Sequence, residues 1–207
     1  DGLSNYEPLA CCLNGQQMAR VGLGDTVLII GAGPIGCMHA VLARRLGATR
    51  VILADISPLR IEMARRFRPD ALLDSRTEDL PARLAELTDG RGPSVVIVAV
   101  GSGAAQEQAI DLVGRGGRVV FFAGLPPTNP KIALNANALH YKQLSVYGMS
   151  GSSFSQQDLA MALLTSGAID GRTFVTHTLP IERFADGLTA IGSGEALKVA
   201  IAPRVVS

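Results

Sequence analysis

No stripe of one charge runs through this sequence. Its 207 residues carry 19 Lys and Arg against 18 Asp and Glu, a formal net charge of +1. The pairs Arg44-Arg45 and Arg65-Arg66 fall at helical positions and read as solvated faces. A chain so balanced lacks the basic footprint with which proteins hold nucleic acid. No apolar stretch approaches the ~20 residues that span a bilayer. The opening residues, DGLSNYEPLA, lack the charged-then-apolar order of a secretory signal. Cysteine is scarce: there are three, two of them adjacent, which do not make a disulfide framework. Together these absences point to a reducing, cytoplasmic setting with neither nucleic acid nor membrane as partner. There is no internal repeat and no low-complexity linker.

What is present is an alternation. Hydrophobic residues make up 47% of the chain, enough for one ordinary core or one domain and part of another. TVLII (26–30) reads as a buried strand, and CMHAVLARRL (37–46) has helical apolar spacing that stops at Gly47. RVILAD (50–55) is strand-like. Ser57 caps the following helix, with Pro58 in its first turn. ALLD (71–74), SVVIVAV (94–100), GGRVVFFAG (116–124) and LSVYGM (144–149) supply four more strands. Helical patterns in EDLPARLAELT and AAQEQAIDLV lie between them. The alternation predicts an α/β fold, a doubly wound parallel sheet of six strands covered by helices on both faces. The tail is less regular, with a helix in SQQDLAMALLTSGAI, an extended FVTHTLPI, a helix in ERFADGLTAI and a strand in LKVAIAP.

The first strand runs into GAGPIG, so that Gly31, Gly33 and Gly36 spell G-x-G-x-x-G. The pattern alone is weak in a chain with 23 glycines. Its context strengthens it, because it follows a strand, opens a helix, and has Asp55 about 20 residues on at the end of the next strand. Gly31 permits the tight turn, Gly33 lets backbone approach a pyrophosphate, and Gly36 lets the helix pack closely on the strand. Pro34 and Ile35 complete the turn at the helix N-terminus, whose unpaired N–H groups and positive dipole end attract phosphate. Asp55 would accept from the adenosine ribose hydroxyls and repel a 2′-phosphate, which favours NAD over NADP. An S-adenosylmethionine-dependent methyltransferase also uses a glycine-rich first turn and an acidic second strand end. The third glycine and the six-strand order weigh against it.

The ordered set EPLACCLNG, GDTVLIIGAGPIGCMHAVLARRLGA, DISPLR, LHYKQLSVYGMSG and FVTHTLPIERFADGL…LKVAIAP resembles the medium-chain zinc-dependent dehydrogenases, near their sorbitol and threonine dehydrogenase branch. The resemblance implies an alcohol or polyol dehydrogenase with a zinc-bearing GroES-like domain and an NAD-binding Rossmann domain. It implies that residues 1–12 end the zinc domain, 13–154 form the Rossmann domain, and 155–207 return to the zinc domain. The family's G-H-E motif, first zinc cysteine and structural zinc lobe have no counterpart here, and only Asn5 and Tyr6 separate DGLS from EPLA. Glu7 matches a glutamate that can complete the catalytic zinc shell. One carboxylate cannot hold zinc, since a catalytic site needs about three protein ligands. Cys11 and Cys12 read as small residues packed between helix and sheet, and His39, His140 and His177 as structural. The resemblance also places Arg60 beside the adenosine and Lys198 within reach of the pyrophosphate. Val100 and Gly101, Gly124 and Leu125, and Met149 and Ser150 lie at the strand ends that would face the nicotinamide. The expected partners are a small alcohol or polyol and a second copy of the chain, in a homodimer or homotetramer built on the outermost strand. A stand-alone, non-catalytic NAD-binding module is the alternative. The expectation for the 207 residues by themselves is NAD binding without alcohol turnover.

Overall fold

The computed structural model describes residues 2–202. Asp1 of DGLS and Pro203 of LKVAIAP lie outside the described residues. A single 3-10 turn at Gly2–Asn5 leads directly into helix α1 (Tyr6–Met18). Then come β1 (Thr26–Ile30), α2 (Pro34–Arg45), β2 (Arg50–Asp55), α3 (Pro58–Ala64), β3 (Ala71–Asp74), α4 (Leu80–Leu87) and β4 (Val95–Val98). They are followed by α5 (Gly103–Leu112), β5 (Arg118–Phe121), α6 (Ala136–Lys142) and β6 (Ser145–Gly148). The six strands form one parallel sheet in the order β3-β2-β1-β4-β5-β6, as the alternation predicted. The order reverses between β1 and β4, which opens a crevice at the carboxyl ends of the central strands.

Burial explains why the central strands carry no polar alternation. Val27, Leu28 and Ile29 of β1, Ile52, Leu53 and Ala54 of β2, and all of β4 are fully buried. Two apolar layers cover them. Ile29, Val51, Leu53 and Ile97 face a cluster with α1 and α2, while Leu28, Ile52, Val96 and Val98 face one with α4 and α5. Each such Val, Leu or Ile contributes about 1.5–3 kcal/mol relative to exposure.

The tail contains α7 (Phe154–Thr165), β7 (His177–Pro180), α8 (Phe184–Gly192) and β8 (Val199–Ala202). β7 and β8 pair in parallel as a separate two-stranded sheet. α7 does not belong with them. It packs along α1, and its Ala160 and Leu164 are buried in the same cluster as Leu9 and Leu13. α1 and α7 thus form one packed layer, and α1 is a continuous helix. The short Asn5–Tyr6 link is built in as well. Asn5 is fully buried and donates to the Gly171 carbonyl at 2.9 Å.

Candidate functional site

The glycine turn connects β1 to α2, and each glycine is there for a different reason. Gly31 has φ +112°, and a Cβ on it would sit 2.6 Å from Val100 Cγ1. A Cβ on Gly36 would lie 1.7 Å from the Gly31 carbonyl oxygen, so only glycine lets α2 lie this close to its own turn. Gly33 differs from both, since nothing lies within 4 Å of a Cβ placed there. Its missing side chain leaves open space in front of the helix rather than relieving a clash inside the protein.

The helix caps sharpen this contrast. α3, α4, α5, α6 and α7 begin at Ser57, Asp79, Ser102, Asn135 and Ser153, and each of these side chains accepts from the backbone of its first turn. α2 begins at Gly33 and, like α1 and α8, has no side-chain cap, but it alone of these three starts from a glycine turn, with Pro34 in its first turn. The leading N–H groups of α2 are thus left for a ligand, beside the positive end of a helix of 12 residues.

Asp55 ends β2 and is only 5% exposed. One carboxylate oxygen accepts from the Ala32 N–H at 2.7 Å, and the other from the Ser57 N–H at 2.8 Å. The side chain therefore pins the glycine turn to the start of α3, a role that the sequence did not reveal. Each oxygen keeps further acceptor capacity for a hydroxyl. Asp55 lines a cavity of about 470 Å³ together with Gly31, Arg60, Ser75, Val100 and Ser102. A cavity of that size accommodates an adenosine moiety. Arg60 is half-buried in this lining, and Ser75 and Ser102 carry no motif that would single them out.

The remaining candidates at the carboxyl edge also converge. Val100 and Gly101 follow β4, Gly124 and Leu125 follow β5, and Met149 and Ser150 follow β6. A Cβ on Gly101 would approach the Gly124 carbonyl oxygen to 2.8 Å, so these two loops touch. Met149 packs against the cluster that contains α1 and α2.

Lys198 lies beside the start of the chain. Its ammonium donates to the Ser4 carbonyl at 3.4 Å and has Glu7 as its charged neighbour. Partial burial pulls its pKa down, and Glu7 opposes that shift. The exposed Glu7 accepts from the Cys11 thiol at 3.3 Å. Cys11 is therefore not packed between helix and sheet, as its neighbour Cys12 is. Burial and the Glu7 carboxylate push the Cys11 thiol up. The spacing held this signal, because residues four apart share a helix face. Cys37 is buried beneath the turn, donates to the Ala32 carbonyl, and is pushed up to about 12 by burial.

The three histidines differ in setting. His39 is fully buried, its Nδ1 facing Gln16 Nε2 at 3.3 Å and its ring edge-on to Phe122. Burial lowers its pKa to about 3, so it is neutral. His140 is exposed on α6, and His177 Nδ1 lies 3.0 Å from the Thr176 hydroxyl. Among the described residues no three His, Cys, Asp or Glu side chains cluster as a metal site. Glu7 with Cys11 is one short of the usual donor set for zinc. No helix among the described residues is long and apolar enough to cross a membrane.

Comparison with known proteins agrees with this geometry. A sorbitol dehydrogenase from Halalkalibacterium halodurans is 33% identical over 202 residues, covering 95% of this chain and 57% of its own length. An alcohol dehydrogenase from Thermus sp. ATN1 superposes with a TM-score of 0.90 at 29% identity, over 98% of this chain and 58% of that one. A zinc-binding dehydrogenase from Sinorhizobium meliloti, solved bound to NADP, superposes with a TM-score of 0.81 at 29% identity, over 89% of this chain and 54% of that one. The chain thus spans somewhat more than half the length of the relatives that it matches. The model of the zinc-binding dehydrogenases covers residues 34–166, from the first turn of α2 through α7. On that match, and on the uncapped glycine turn, this chain belongs to the zinc-binding dehydrogenase family.

Proposed function

We propose that this chain is the NAD-binding portion of a dehydrogenase acting on a secondary alcohol or polyol. The observation that carries the reading is the bare N-terminus of α2 behind Gly33, with the carboxylate of Asp55 fixed beside it. When bound, the dinucleotide supplies the hydride acceptor. The chain's own residues hold it. The α2 N–H groups and the open space at Gly33 take the pyrophosphate, and Asp55 takes the adenosine ribose. The loops at Val100–Gly101 and Gly124–Leu125, with Met149, border the nicotinamide end.

Asp55 and Arg60 line the same cavity and pull in opposite directions on a 2′-phosphate. Asp55 prevails in this reading, because it is buried and held by two hydrogen bonds, whereas Arg60 is half-exposed and screened. NADH is therefore expected to bind at least about tenfold more tightly than NADPH, about 1.4 kcal/mol. Fluorescence titration with both reduced cofactors tests this, and equal affinity would remove the role given to Asp55.

Zinc enters none of these steps, since Glu7 and Cys11 come together with no third donor among the described residues. In the longer protein Glu7 is the ligand that this chain would contribute. Three free thiols suit a reducing, cytoplasmic setting. The edge strand β6 pairs only with β5 and is partly exposed, so it offers an unpaired edge to a second copy. A homodimer or a dimer of dimers is expected by sedimentation equilibrium. A monomer at micromolar concentration would count against that use of β6.

A further inference from the structure

The sheet's amino edge carries a second cavity, of about 490 Å³, at the opposite ends of the strands from the glycine turn. Thr26 and Arg50, the first residues of β1 and β2, lie in its wall. Three guanidinium groups line it, those of Arg50, Arg91 and Arg115, against the single carboxylate of Asp89. That local surplus of two positive charges exceeds the net charge of the whole chain, +1.

Part of this basic lining serves the fold. Arg50 donates to the Leu87 carbonyl, and Arg91 donates to that of Thr88 at 3.3 Å. Both therefore close the C-terminal end of α4, as cations at a helix end do. That role uses one donor of five on each guanidinium. Arg91 also pairs with Asp89 at 3.1 Å, but both side chains are 79% exposed, so a stronger anion displaces Asp89 at little cost. Arg115 is the residue that the fold does not explain. It lies exposed in the turn before β5 and has no hydrogen bond or ion pair among the described residues. An adjoining groove of about 950 Å³ shares Arg91 and Arg115, adds Lys142 and Asp111, and is lined also by the apolar Pro81 and Leu84 of α4.

From this arrangement we propose a second ligand site, for a compact phosphorylated small molecule. Its phosphate would sit among Arg50, Arg91 and Arg115, and its organic part in the groove beside α4. Guanidinium groups suit this ligand because their planar donors grip phosphate oxygens in pairs. The site is separate from the dinucleotide turn and compatible with its occupancy.

Inorganic pyrophosphate is the probe, titrated calorimetrically into the wild-type chain, Gly33→Val and Arg115→Glu. Gly33→Val closes the glycine turn, where pyrophosphate could otherwise bind. The site predicts that Gly33→Val still binds the probe, that Arg115→Glu weakens binding by about tenfold or more, and that Arg115→Lys keeps most of it. Circular dichroism checks that each variant is folded, and NADH affinity is expected to be unchanged in Arg115→Glu. Binding lost in Gly33→Val but kept in Arg115→Glu would assign the probe to the glycine turn and overturn the site. So would equal binding by all variants, or none by the wild type. If NADH fails to bind the wild type while pyrophosphate behaves as expected, the cofactor reading falls and this site stands. A phosphorylated sugar that binds more tightly than pyrophosphate would show that the groove takes the organic part, and inorganic phosphate binding as well as the sugar would show that it does not.

Discussion

The parallel sheet and the small sheet of the tail are both βαβ units, yet they differ in what covers them. In the first, β1, β2 and β4 are buried on both faces, and their helices bury one side against them. In the second, β8 is half-buried throughout and β7 alternates between half-buried and exposed. α8 leaves Phe184, Leu188 and Ile191 about half exposed, and Ile181 just before it is 55% exposed. Two strands and one helix cannot enclose a core, and a lone two-stranded sheet is marginal in water. The comparison teaches that a repeated motif acquires stability only from the layers stacked against it.

The largest expected effect lies inside the glycine turn. Gly36→Val drives side-chain atoms into the Gly31 carbonyl, where even a Cβ would lie at 1.7 Å. We expect a loss of about 4 kcal/mol or more, of the size that unfolds a marginal domain. Gly33→Val meets open space and should leave the melting curve near wild type while abolishing NADH binding. Chemical denaturation and a binding assay on the same samples separate the two. A folded Gly36→Val protein would show that the turn relaxes, and NADH binding by Gly33→Val would show that the glycines serve packing only.

Next comes the contrast between the two sheets. Ile97→Ala in β4 empties a fully buried site and should cost about 2–5 kcal/mol. Leu188→Ala on α8 removes a side chain that is 56% exposed and should change stability by no more than about 0.5 kcal/mol. Hydrogen exchange extends the comparison to the backbone. Amides of β1 and β4 should exchange only through global unfolding, and those of β7 and β8 through local opening of lower free energy. Equal protection in the two sheets would break the distinction.

A smaller effect follows from His39 in the well-covered region. Its folded pKa is lowered to about 3, while the unfolded chain has the ordinary value near 6.5. The unfolded state therefore takes up the proton first as pH falls. Stability is full above about pH 6.5 and declines toward pH 3, at up to about 1.4 kcal/mol per pH unit. Replacing His39 by Met removes this contribution, so urea midpoints of the variant should depend less on pH below 6.5. Identical slopes for both proteins would mean that the ring is protonated inside the fold.

The smallest expectation is a null result. With Glu7 and Cys11 but no third donor among the described residues, the chain dialysed against buffer should retain well below one zinc per molecule by atomic absorption, and should show no alcohol-dependent NADH formation. Stoichiometric zinc, or turnover that a chelator stops, would show that these residues recruit ligands from elsewhere in the chain.

Much of the parallel sheet was legible because its signals are local. Unbroken apolar runs such as VLII and VVIV have few places to go but a sheet covered on both faces. The glycine spacing and Asp55 fix the turn from a single stretch of chain. Other features had no such signal. Asp55 reads as a ribose ligand, yet both of its oxygens also accept backbone N–H groups, one of them 23 residues away. Lys198 reads as a pyrophosphate ligand, and the sequence did not show that its ammonium donates to the Ser4 carbonyl with Glu7 close by. The pairing of Cys11 with Glu7 was open to the helical spacing, though only the absence of any covering layer leaves it at the surface.

By itself the sequence determined the order of elements, the glycine turn and the family, because strand burial, helix capping and backbone permissiveness are written within a few residues of one another. Tertiary structure alone decided that α7 joins α1 rather than the tail, since the apolar residues of a helix do not encode which neighbour they will cover. It alone decided that Arg50 at the start of β2, Arg91 before β4 and Arg115 before β5 share one cavity. Their spacing along the chain carries no period, and only the parallel alignment of β2, β1, β4 and β5 brings those amino ends together.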